Sequence, residues 1–216
     1  MKDEADHRIN AERPYLLMFL GILGIFGCIS LLLGTVIAQN VVPGHDWMAD
    51  TISDLGAGKW EIIMDVALYG FAAGLFATAL AASHAHLGGV GWSVGVLSLA
   101  FLAALVIVVG ARNEYGDGDS EGIVIHIYLV YGLGLFFLVA PLCMASGIGR
   151  EHPVARWMLI VLGIAWGVAA PAFLVMPTNI DGLFERFLGI IACAIVTVLC
   201  VVFYKRGRAA HKGTSS

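Results

Sequence analysis

Residues 15–38 read YLLMFLGILGIFGCISLLLGTVIA, 24 consecutive residues without a charged side chain. A helix of about 20 apolar residues crosses the hydrocarbon of a bilayer. The run lacks the alternation of apolar and polar residues that a barrel strand shows, so its backbone groups are satisfied within a helix. It also exceeds the core of a secretory leader, about 7–15 residues. The segment before it mixes Lys2, Arg8 and Arg13 with Asp3, Glu4, Asp6 and Glu12. Val36-Ile37-Ala38 resembles a cleavage site, but length and leader charge together predict an uncleaved membrane helix.

Five further runs are of membrane-spanning length and predominantly apolar: 62–83, 92–111, 123–146, 157–176 and 184–204, with Asp65 in the first and Glu185 and Arg186 in the last. The sequence therefore predicts an all-α fold, a polytopic integral membrane protein with a six-transmembrane-helix bundle over 15–204. Residues 1–14 form an N-terminal segment and 205–216 a tail. Composition agrees: 59% of the chain is hydrophobic and 13% charged. A water-soluble globule needs a more highly charged skin, whereas in lipid the apolar surface is itself the skin. The connectors hold turn residues at Pro43-Gly44, Gly89–Gly91, Gly116–Gly118, His152-Pro153 and Pro177-Thr178.

Lysine and arginine orient the bundle. Nine lie on the side of the termini (Lys2, Arg8, Arg13, Arg150, Arg156, Lys205, Arg206, Arg208, Lys212). Three lie on the other (Lys59, Arg112, Arg186). The positive-inside rule predicts a multi-pass protein of the cell membrane with both termini cytoplasmic. Acids show the opposite bias, eleven on the outer side against five on the inner. No basic block suits nucleic acid. Cys28, Cys143, Cys193 and Cys200 all lie in apolar runs, fit no zinc or redox spacing, and predict no disulfide.

Glycines recur four apart at Gly70 and Gly74, Gly91 and Gly95, and Gly163 and Gly167, with Gly21, Gly24, Gly27 and Gly34 on the first helix. Small residues at this spacing let helices approach closely in lipid.

Three outer segments converge on one mouth: Thr51–Gly58, Arg112–Asp119 and Pro177–Gly182. Two ionisable residues stand just inside the helices, Asp65 on a stripe with Glu61 and Tyr69, and His126. An aspartate at mid-membrane costs about 2.5–3.5 kcal/mol, less near the interface, so such residues face the interior and find partners. These groups predict an outward-facing polar pocket. Its candidate ligand-binding residues are Ser53, Asp54, Asp65, Arg112, Asp117, Asp119, His126, Asn179, Asp181 and Glu185, with Arg112 and Arg186 meeting an anionic group. Each has a plainer reading: Thr51, Ser53 and Asp181 as helix caps, Asp65 as a structural partner, His126 as an interfacial histidine. Asp117–Gly122 resembles the front of a calcium loop, but its twelfth position is Tyr128, which excludes an EF-hand. No metal site, cofactor or catalytic residue is assigned. No His-Glu-x-x-His, P-loop or dinucleotide-binding fingerprint occurs.

The order of a first helix, an outer loop carrying Ile52-Ser53-Asp54-Leu55-Gly56-Ala57, and a second helix resembles the prokaryotic membrane family known as domain of unknown function 998. The resemblance spans nearly the whole chain. That family is more distantly similar to the Frag/DRAM/Sfk membrane proteins, some of which act in lipid-anchor remodelling or lipid organisation. The resemblance implies six helices with both termini inside, and draws attention to Ser53 and Asp54. It carries over no catalytic residue.

Three readings remain open. The first is a protein whose outer pocket binds a lipid headgroup or small polar ligand. The second is a membrane-embedded lipid-modifying enzyme, metal-dependent or not, with His126 or Asp65 as general base. The third is a small transporter or a structural subunit. Membrane lipids are the expected partners, with a homo-oligomer or a partner membrane protein also open.

Overall fold

A computed structural model describes residues 13–111 and 126–213. The described residues form helices joined by short connectors, without strands. In chain order they form α1 (Pro14–Val41), the short α2 (Ile52–Leu55), a 3-10 turn (Gly58–Trp60), α3 (Ile62–Ala85), α4 (Val90–Ala111), α5 (His126–Ile148), α6 (Pro153–Phe173) and α7 (Asp181–Gly213). Six of these, all but α2 and the 3-10 turn, are long and apolar enough to cross a membrane.

Local chemistry sets the ends. Pro14 and Pro153 open α1 and α6 at positions where the missing N–H costs nothing. Val42 is extended and precedes Pro43, which stops α1. α3 ends on His86 with φ of 40°, and Gly88 and Gly89 follow at 82° and 88°, so the chain reverses in four residues before α4. The last span differs most from the sequence expectation. The apolar run ends at Tyr204, whereas α7 continues to Gly213. Its 33 residues are about 50 Å long, more than the hydrocarbon needs, so the Lys- and Arg-rich end extends beyond it.

Each membrane helix packs on the next, and α7 returns to pack on α1, closing a ring; α7 also touches α3. Both described chain ends therefore lie at one face, and the long connector 42–61 lies at the other, here termed the loop face. The α1–α3 seam is nearly backbone on backbone. A methyl group added at Gly27 would sit 2.7 Å from the Cα of Gly74, inside van der Waals contact. On the other side of α1, one added at Gly21 would sit 2.8 Å from the carbonyl oxygen of Cys200. Such approach maximises dispersion contact where lipid supplies no hydrophobic drive. Thr78 satisfies itself within this seam by donating to Gly74 O at 2.8 Å. Among the spans α7 is the most buried, and α5 and α6 are the least.

Candidate functional site

The connector 42–61 is held by two adjacent residues of α7. The Glu185 carboxylate accepts the Ile52 N–H (2.5 Å) and the Ser53 hydroxyl (3.2 Å), fastening α2 across the top of the bundle. Arg186 fastens the rest. Its guanidinium donates to the carbonyls of Asp50 and Gly182, both at 2.9 Å, to Gln39 Oε1 at 3.4 Å, and to His45 Nε2 at 2.8 Å. Leu183 N–H adds a bond to Met48 O. Gly182 is required here, because a Cβ would collide with the Asp50 carbonyl.

His45 is the residue that sequence reading passed over. Its side chain is only 3% exposed. A guanidinium donates and never accepts, so Nε2 must accept and the imidazole is neutral. The proton sits on Nδ1, which faces Asp50 Oδ2 at 3.5 Å. Burial, then the neighbouring Arg186 charge, push the His45 pKa below its ordinary value, outweighing Asp50, Asp54 and Asp46, which act the other way.

Beneath α2 lies a cavity of about 420 Å³, within the size range of small-ligand sites. It occupies the loop-face half of the bundle. Phe71 of α3, Phe137 of α5 and Trp166 of α6 form an aromatic wall, with ring centroids 6.4 Å apart for the first pair and 4.7 Å for the second. Trp166 is fixed by its indole N–H, which donates to Gly134 O at 2.9 Å. Leu188, Gly189 and Ala192 of α7 line the opposite side. Ile52, Ser53 and Gly56 form part of the roof. Tyr131, Leu135 and Leu174 line the cavity at α5 and just after α6, and each keeps about half of its surface exposed. Among the described lining residues Glu185 alone is charged.

The predicted site residues therefore separate. Ser53 and Glu185 meet at the cavity roof. Asp54 sits beside them but serves α2: its carboxylate accepts the Thr51 N–H at 2.7 Å, while the Thr51 hydroxyl accepts the Asp54 N–H, a reciprocal capping box. Asp181 begins α7 and accepts the Gly182 N–H at 2.9 Å. Asn179 is exposed on the turn before α7. Asp65 is half-buried in the first turn of α3, outside the cavity lining. His126 is the first residue of α5, and its side chain lies outside the described residues. Arg112, Asp117 and Asp119 also lie outside them. Arg186 does not line the cavity; it serves the connector. No group of three or more His, Cys, Asp or Glu side chains that could hold a metal ion occurs among the described residues.

The family profile described as Protein of unknown function (DUF998) matches residues 25–202. No curated protein and no solved structure matches the chain.

Proposed function

The chain belongs to the DUF998 family, and from that premise we propose that this six-helix membrane protein binds a lipid or lipid-like amphiphile in the cavity under α2. The observation that carries this reading is the cavity's composition. Hydrocarbon and aromatic side chains line its body, and the Ser53–Glu185 pair stands at its roof. A wholly polar solute would lose its hydration against such walls, whereas a hydrocarbon chain would not. The exposed lining residues Tyr131, Leu135 and Leu174 favour entry of such a chain from the bilayer at α5 and α6. The charge bias supports an orientation with the loop face outward and both termini in the cytoplasm.

The test is retention of lipid. Gly134 and Gly189 line the cavity; a methyl group added at Gly134 meets nothing within 4 Å, and one added at Gly189 meets only Ile52 Cδ1, at 3.9 Å. Wild type, washed with detergent and analysed by mass spectrometry, should retain lipid that the Gly134→Phe/Gly189→Leu variant has lost. Equal retention by the two proteins, both folded, would exclude the cavity as the binding site.

A further inference from the structure

We infer that the amphiphile presents hydrogen-bond donors, an ammonium group above all, to the Glu185 carboxylate. This rests on the reading that the cavity holds an amphiphile at all.

An ionised carboxylate accepts only, and its two oxygens together offer about four lone-pair sites. Three donors reach it from the protein, the Ile52 N–H on Oε2, the Ser53 hydroxyl on Oε1 and the Ser53 N–H. All come from α2, on the roof. Three donors leave room for a further one on about four sites, and the carboxylate borders the cavity. A carboxylate beside hydrocarbon gains most from a further donor, and a charged donor gives bonds about twice as strong as a neutral one.

The nearest cation in sequence does not compete for that position. Arg186 directs its guanidinium at His45, Gln39 and the carbonyls of Asp50 and Gly182, away from the cavity. It orders the roof, so it is not available to receive an anionic headgroup. A phosphate or carboxylate head placed under α2 would instead face Glu185, and like charges repel strongly where water is thin. The site thus selects by charge sign at the roof and by hydrocarbon in the body.

The experiment uses four amphiphiles that share one hydrocarbon tail and differ in the head: oleylamine, oleyl alcohol, methyl oleate and oleate. Each is titrated into the full-length protein in phosphatidylcholine nanodiscs. Binding is read by native mass spectrometry and by the shift in thermal midpoint. The expected order is amine, then alcohol, then ester and carboxylate, with the amine about tenfold tighter than the ester. Glu185→Gln should reduce that preference to less than about threefold, with the Gly134→Phe/Gly189→Leu variant binding none of the four. Equal affinity of wild type for all four, or tightest binding of oleate, would overturn the headgroup assignment while leaving the cavity reading intact. Failure of wild type to bind any of them would overturn both. Should Glu185→Gln not fold, the order measured on wild type decides the matter alone.

Discussion

Glu185 and Arg186 are sequence neighbours with different work. One borders the cavity, the other orders the connector that roofs it. Their partners lie 132 to 147 positions away for every loop and α1 contact. That distance is why the sequence shows the acid and hides the network. Thr51-x-x-Asp54 could be read directly as a capping pattern, because cap and partner are three residues apart. His45 gives no such local signal; its role exists only because α7 brings Arg186 against it. Its neutral imidazole makes a prediction. The folded protein holds the His45 pKa below the ordinary 6.5. The unfolded chain therefore takes up a proton first as pH falls. The His45 contribution is complete above about pH 6.5 and is lost as pH falls through the folded-state value. Thermal midpoints of wild type and His45→Gln, which keeps an acceptor for Arg186, should lie furthest apart near pH 7.5 and draw together as pH falls below about 6.5. A gap that stays constant or widens on acidification would contradict the neutral assignment.

At the scale of elements, all six spans could be read from apolar run length, since lipid leaves few alternatives for such runs. The end of α7 could not. Lys205, Arg206, Arg208 and Lys212 break the hydropathy signal but not the helix, and Arg206 pairs with Glu151 of the α5–α6 connector. The cavity was equally hidden, because its walls come from all six spans and its lining is too apolar to stand out in any one. The glycine spacing, by contrast, did mark a real seam at Gly70 and Gly74. Gly27→Leu forces α1 and α3 apart and should lower stability by about 1–3 kcal/mol or more, as overpacking does. Gly134→Ala, with open space at its Cβ, should be within about 1 kcal/mol of wild type, helped by the better helix propensity of alanine. Thermal unfolding in one detergent compares the two. Equal effects would mean that the seam is not tightly packed in the membrane.

For the whole molecule, the ring places the 42–61 connector and the 174–180 turn on one face and the 86–89 and 149–152 turns on the other. Single cysteines in a cysteine-free background test the orientation read from charge. Gly44→Cys and Asn179→Cys should react with a membrane-impermeant maleimide in intact cells; Gly88→Cys and Lys212→Cys should react only after permeabilisation. The reverse pattern would invert the protein and turn the cavity roof to the cytoplasm. The closure of the ring by α1 against α7 also sets an order of assembly. A chain made from its N-terminus inserts α1 first and α7 last. The Gly21 side of α1 therefore stays without its α7 partner until the other five spans have been made. The cavity roof is under the same delay, since Ile52 and Ser53 are synthesised long before the Glu185 that fastens them. Nascent chains stopped after α6 would have both surfaces open at once.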